Sequence, residues 1–113
     1  MATSVEFKDF VLDQLQSIDT NFSFSARKMF GEYCIYLHEH GEKKVLFLLC
    51  DEQVFIKKYS ALQGILENIS EPFKGAKEWF VLDIDNLELL ENVIKIAKPL
   101  LESPKNKSLK NLK

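Results

Sequence analysis

The sequence has few cysteines, the residues whose disulfides and metal sites stabilise many small proteins. It contains only two cysteines, Cys34 and Cys50, which lie sixteen positions apart and form no Cys-x-x-Cys pair. That spacing indicates neither a disulfide framework nor a four-cysteine zinc site. We therefore expect two reduced thiols, as in a protein that stays inside the cell, with a bridge between them as the alternative.

Long apolar runs are also missing. No stretch of eighteen apolar residues occurs, whereas a membrane-spanning helix needs about twenty. Residues 1–6 lack the basic region followed by an apolar run that marks a secretory signal. We expect a soluble, cytoplasmic protein without a membrane partner.

Recognised catalytic motifs are absent as well. The sequence has no P-loop, no Gly-x-Gly-x-x-Gly, no Gly-x-Ser-x-Gly and no His-Glu-x-x-His. A cysteine nucleophile needs a positioned base and a lowered thiol pKa, but Cys50 falls in an apolar segment, where burial raises the pKa. We expect no enzymatic activity, no catalytic residue and no cofactor.

Basic residues are scarce outside the C-terminal segment. The chain has 15 basic and 17 acidic residues, and four of the lysines lie in residues 103–113 without an acid among them. Residues 1–102 therefore hold 11 basic against 17 acidic side chains, a net charge of about −6. A body of that sign repels phosphates. We expect a folded domain over 1–102 and a disordered, lysine-rich tail over 103–113.

Hydrophobic residues make up 46% of the sequence and include nine phenylalanines, enough for one core in a chain of 113 residues. Thr3 and Glu6 have the spacing of a capping box, which predicts that a helix begins there. The following apolar residues recur at three- and four-residue intervals and share one stripe: Phe7, Phe10, Val11, Leu15 and Ile18.

Period-two alternation then predicts strands. Residues 22–26 alternate with Phe22, Phe24 and Ala26 inward, which puts Arg27 on the opposite face. Gly31 suits the turn that follows. In the next strand the more apolar side holds Tyr33, Ile35 and Leu37, and the other side holds Cys34, Tyr36 and His38.

The remaining segments complete a two-layer fold. Residues 45–50 are apolar on both parities, which is typical of a central strand, and 54–58 form a fourth strand. Ser60 can cap a short second helix that reaches Ile69, before an aromatic strand over 78–82 and a last helix that Pro99 ends near Lys98. The sequence predicts an α+β domain with an antiparallel sheet of about five strands and three helices, in the order α-β-β-β-β-α-β-α.

One run, residues 27–37 (Arg-Lys-Met-Phe-Gly-Glu-Tyr-Cys-Ile-Tyr-Leu), and the later Glu71-Pro72-Phe73 step resemble the signature of the TfoX N-terminal domain family. These are bacterial proteins linked to the regulation of natural competence. The resemblance covers most of the chain, since the leading helix, the strands and the closing helix follow in the same order. Members commonly carry glycine where this chain has Glu32 and Cys34.

The resemblance implies a non-enzymatic cytosolic domain for protein interaction or regulation, connected with competence or transcription. Its candidate partner-binding residues are Arg27, Met29, Phe30 and Tyr36, since Arg, Met and aromatic side chains are enriched in interface cores. The partner is a protein of unknown identity or a second copy of the chain. The structural alternative for Arg27 is an ion pair with a carboxylate, near Glu32, that fixes the hairpin.

Two further functions are alternatives. Arg27 and the tail could contact nucleic acid, although the acidic body argues against a general nucleic-acid surface. His38, His40 and Cys34 share a parity on one extended segment and could form a metal-binding corner. No other ligand set has a recognisable spacing, so we expect no metal.

Overall fold

The computed structural model describes residues 3–18, 22–29 and 32–101, which form two α-helices and six strands. Two short 3₁₀ turns, Ser60–Leu62 and Lys98–Leu100, connect or extend them. The strands and helices follow in this order: α1 (Val5–Ser17), β1 (Ser23–Met29), β2 (Glu32–Glu39), β3 (Glu42–Cys50), β4 (Gln53–Ile56), β5 (Ile69–Ser70), β6 (Trp79–Leu82) and α2 (Leu87–Ala97).

All six strands belong to one antiparallel sheet with the order β1-β2-β3-β4-β6-β5. The predicted α+β class and antiparallel sheet are therefore confirmed. β3 lies in the middle of the sheet, as its apolar sequence predicted. Its register against β2 shifts beside Tyr36, and this irregularity brings both Leu46 and Phe47 into the core.

Both helices pack on the same face of the sheet, called here the inner face. Val11 and Leu15 of α1 and the buried residues of α2 join one cluster with alternate residues of the strands. The inward strand residues that the alternation predicted are in this cluster or packed against it: Phe22, Phe24, Ala26, Tyr33, Ile35 and Leu37. None of the helices within residues 3–18, 22–29 and 32–101 has the length and apolar character needed to cross a membrane.

The prediction of three helices and about five strands was wrong in one segment. Ser60–Leu62 forms only a 3₁₀ turn, and β5 follows at Ile69–Ser70, where the second helix was expected. Gly64 has φ +91°, which no residue of an α-helix adopts. The chain turns at this glycine and returns to the sheet edge as a sixth strand.

The helix ends show how local hydrogen bonds fix the elements. Ser4, not Thr3, caps α1, because the Ser4 hydroxyl accepts from the Phe7 N–H at 3.1 Å. The Thr3 hydroxyl is buried and accepts from the Glu52 N–H at 3.4 Å. At the other end of the chain Asn86 caps α2 by accepting from the Leu89 N–H at 3.0 Å.

The two hairpin loops on either side of β3 contain two residues each. His40 and Gly41 have φ 55° and 77°, and Asp51 and Glu52 have φ 53° and 62°. Two consecutive positive φ values define the type I′ turn, whose twist matches that of the paired strands. The turn expected at Gly31 lies outside the described residues.

Candidate functional site

The face of the sheet opposite the helices, called here the outer face, carries most of the predicted site. Strand pairing places Ser23, Ser25 and Arg27 of β1 beside His38, Tyr36 and Cys34 of β2. The pairing of β2 with β3 then adds Lys43 opposite His38 and Val45 opposite Tyr36. In the described part of the chain, the buried residues of both helices all belong to the inner-face core. The outer face thus carries no α-helix of the described chain.

Tyr36 lies at the centre of this region. Its ring is almost fully buried, and the Lys43 ammonium lies over the ring, 4.6 Å from the centroid. The Arg27 guanidinium and the Cys34 thiol both lie close enough to the Tyr36 hydroxyl to affect its pKa. Burial, with Cys34 nearby, raises the pKa of Tyr36 above its usual value, while Arg27 acts in the opposite direction. Two cations therefore converge on one aromatic side chain.

Arg27 does not form the carboxylate pair that its sequence neighbours suggested. Among residues 3–18, 22–29 and 32–101, no salt bridge includes Arg27. Glu32 instead accepts a hydrogen bond from the Cys50 thiol, with Sγ and Oε1 2.9 Å apart. The side chain of Arg27 is exposed, so most of its five donors remain available to another molecule.

Both cysteines are free and buried, as the spacing predicted. Burial, together with the hydrogen bond to Glu32, raises the pKa of Cys50 to about 12. Burial also raises the pKa of Cys34, although Tyr36 and the cations Lys43 and Arg27 oppose this effect. Neither thiol has the lowered pKa that a cysteine nucleophile needs.

The predicted metal-binding corner is not assembled. The His38 ring nitrogen Nε2 is 2.7 Å from the Ser25 hydroxyl oxygen, so this nitrogen already has a partner. His40 lies in the turn, with 87% of its side chain exposed, and its nearest acid is Glu39 at 3.7 Å. Within the described ranges, no group of three or more His, Cys, Asp and Glu side chains could hold a metal ion.

Other predicted site residues lie at or beyond the limits of the description. Phe30 and the tail, 103–113, are outside the described residues, and only the backbone of Met29 is described. Leu46 and Phe47 lie in the inner core and not beside Tyr36 on the outer face. Tyr36 instead pairs across the strands with Val45.

The sequence alone did not identify Lys43 as part of the site, because Lys43 lies close to the turn at His40–Gly41. A two-residue loop at His40–Gly41 would have placed it opposite His38, and hence on the same face as Tyr36.

Comparisons with known proteins add no identity to this geometry. No family model matches the chain, and neither a curated protein nor a solved structure is detectably similar to it.

Proposed function

We propose that this chain is a non-enzymatic, cytosolic interaction domain, related to the TfoX N-terminal domain, that binds a protein partner through its outer face. The observation that carries the proposal is the setting of Arg27. The chain's only arginine is exposed on a sheet face without a helix, beside Tyr36, and no described carboxylate pairs with it. An arginine that served only to fix its hairpin would be expected to hold a carboxylate of its own chain.

The middle of the outer face supports the same proposal. Val45, Leu48, Trp79 and Val81 lie on this face and are each only partly buried. Together with Arg27 and Tyr36 they form the combination of aromatic, aliphatic and arginine side chains that is common at the centre of protein interfaces. A partner that covered this row would remove apolar surface from water.

The regulatory part of the proposal depends on the resemblance of residues 27–37 to the family signature. Proteins of that family are linked to competence and transcription. For a domain of this kind, binding to another protein is the step through which regulation would operate. The acidic body, with a net charge near −6 over residues 1–102, is consistent with a protein partner and disfavours a nucleic acid.

Partner capture with matched variants tests the proposal. The tagged parent, Arg27→Ala and Lys28→Ala would be incubated with native lysate, and retained proteins would be identified by mass spectrometry. Lys28 is the matched control because it is exposed on the same strand, pairs with the core residue Tyr33, and loses the same charge. We expect a protein that the parent and Lys28→Ala retain and that Arg27→Ala retains about tenfold less or weaker still.

Two outcomes would contradict the proposal. Equal retention by Arg27→Ala and the parent would remove Arg27 from the interface. Recovery of metabolites with turnover, in place of a protein, would assign the chain to an enzyme class. Because Arg27 is exposed, its replacement should change the free energy of unfolding by no more than about 0.5 kcal/mol, and a urea denaturation curve for each variant verifies this.

A further inference from the structure

One end of the outer face concentrates positive charge and hydrogen-bond donors. Ser25, Arg27, Tyr36, His38 and Lys43, called here the polar patch, come from three adjacent strands, β1, β2 and β3. Ser25 lies opposite Tyr36, and His38 lies opposite Lys43. Side chains directly opposite each other in an antiparallel pair are about 5 Å apart at Cβ, so the other polar groups lie around the buried Tyr36 side chain.

The two cations of the polar patch have no carboxylate partner. Within the described residues neither Arg27 nor Lys43 forms a salt bridge. The Glu32 carboxylate lies on the same face as Arg27, but it accepts a hydrogen bond from the Cys50 thiol of β3, with Oε1 and Sγ 2.9 Å apart. In a body with 17 acidic residues, two cations left together on one face form a local anion-attracting region.

Tyr36 holds these cations in place. Its side chain is only 5% exposed, so the ring is fixed in the sheet. Lys43 lies over the ring face at 4.6 Å from the centroid, and Arg27 lies close enough to the hydroxyl to affect its pKa. The positions of both charges are therefore set before a ligand arrives, which reduces the entropy cost of binding.

We infer that the polar patch binds a phosphate monoester, carried as a phosphorylated side chain on the protein partner; this inference rests on the proposed function. A phosphate monoester has a charge near −2 at neutral pH, which matches Arg27 and Lys43. A carboxylate or a single phosphodiester carries one negative charge. The planar Arg27 fork and the Lys43 ammonium supply charged hydrogen bonds to its terminal oxygens. Ser25 and His38, which are hydrogen-bonded to each other at 2.7 Å, border the same site.

The acidic body favours this ligand over a nucleic acid. A nucleic acid brings a row of phosphates, and most of them would face residues 1–102, where 17 acidic side chains outnumber 11 basic ones. A single dianion on an otherwise neutral or basic peptide meets only the local charge of the polar patch. We expect weak binding of phosphate alone. Binding should be stronger for a peptide that also covers the apolar row, which is formed by Val45, Leu48, Trp79 and Val81 of the outer face.

The experiment measures binding of two probes by NMR chemical-shift titration at constant ionic strength. One probe is inorganic phosphate. The other is a five-residue peptide, blocked at both ends, with one phosphoserine between glycines, compared with the same peptide containing serine. The proteins are the parent, Arg27→Gln, Lys43→Gln and the control Lys28→Gln.

We expect saturable shifts of outer-face amides with phosphate and with the phosphopeptide, and none with the serine peptide. Affinity should fall about tenfold in Arg27→Gln and Lys43→Gln, because each removes a charged hydrogen bond or ion contact, and should stay near the parent value in Lys28→Gln. An intact amide spectrum for each variant shows that it is folded.

Three outcomes would overturn the inference: no saturable shift in the parent, shifts confined to the inner face, or an equal loss in Lys28→Gln. If phosphate alone binds and the phosphopeptide does not, the ligand is free phosphate and the inference of a partner's side chain is wrong. If phosphate fails while partner capture still depends on Arg27, the proposed function stands and only the inference about the ligand falls. Binding of phosphopeptide without any Arg27-dependent capture would contradict the proposed function instead.

Discussion

At the scale of single residues, the chemistry of the outer face depends on burial. Cys50, Cys34 and Tyr36 are nearly or fully inaccessible to solvent, and burial is the main cause of the raised pKa of each group. A buried group resists ionisation because its charged form is poorly solvated. These three side chains are therefore uncharged at neutral pH. Arg27 and Lys43 keep their charges on the same face, which is consistent with a binding surface.

The raised pKa values predict that the protein loses stability in alkali. The Cys50 thiol has an ordinary pKa of 9.0, which the unfolded chain regains, and a pKa of about 12 in the folded protein. Below pH 9 both states keep the proton, and this group adds no pH dependence. Between about pH 9 and 12 only the unfolded chain releases it, so the free energy of unfolding falls as pH rises.

Urea denaturation at pH 8, 9 and 10, followed by Trp79 fluorescence, measures this fall. Cys50→Ala should lose stability less steeply, with a slope difference approaching about 1.4 kcal/mol per pH unit above pH 9. Leu48→Ala is the matched control, because it alters the same strand and face but removes no titrating group. Identical slopes in the parent and Cys50→Ala would show that the thiol is not protected.

At the scale of elements, turn geometry decides which residues come together. The type I′ loop at His40–Gly41 places Lys43 opposite His38, and the loop at Asp51–Glu52 turns β3 into β4. Glu52 is also held by α1, since its carboxylate accepts from the Ser4 N–H at 2.6 Å. The hairpins thus both build the outer face and attach the first helix to the sheet.

The sequence pattern and the structure disagree most clearly in the segment after β4. They predict changes of opposite sign in the free energy of unfolding for Gly64→Ala. If Gly64 were inside an α-helix, Gly64→Ala would stabilise the protein by about 1 kcal/mol. With φ +91° the alanine is strained, although its Cβ would meet no atom within 4 Å. We expect Gly64→Ala to destabilise the protein by about 1–2 kcal/mol.

The neighbouring Gln63→Ala is the control, because Gln63 has an ordinary φ of −66° and is exposed. Its free energy of unfolding should stay within about 0.5 kcal/mol of the parent. Thermal or urea unfolding of the two variants is sufficient. Stabilisation by Gly64→Ala would restore the three-helix prediction.

Much of this fold could be predicted because alternation reports directly on strand faces. The period-two alternation correctly placed Tyr33, Ile35 and Leu37 on the inner face. It also correctly placed Arg27 on the outer face. The alternative in which Arg27 pairs with a carboxylate of its hairpin is not seen among the described residues, because nearness in sequence does not decide which neighbouring strand a side chain reaches. Glu32 turns to Cys50 on β3, and only the strand order reveals that choice.

At the scale of the whole molecule, the two faces of the sheet have different tasks. The inner face buries the core under both helices, and the outer face presents the polar patch and a half-exposed apolar row. Charge is also divided, since residues 1–102 are acidic and the segment 103–113 is basic. The division predicts that contact with nucleic acid, if it occurs, depends on the segment 103–113.

Oligonucleotide binding measured against salt concentration tests that prediction. A chain ending at residue 102 should show no measurable affinity near physiological salt, because its net charge of about −6 repels phosphates. Binding by the full chain should decrease steeply with salt and should be unchanged in Arg27→Ala. Salt-dependent binding that survives removal of residues 103–113 and requires Arg27 would support the nucleic-acid alternative in place of a protein partner.

Photo-crosslinking in the source cells measures whether a protein partner contacts the outer face. The photoreactive residue p-benzoylphenylalanine would be placed at Ser23, exposed on the outer face of β1, or at Asp13, exposed on α1. We expect a specific crosslinked protein from the Ser23 position that disappears in Arg27→Ala, and none from Asp13. A partner crosslinked from Asp13 and not from Ser23, or one that Arg27→Ala does not affect, would contradict it.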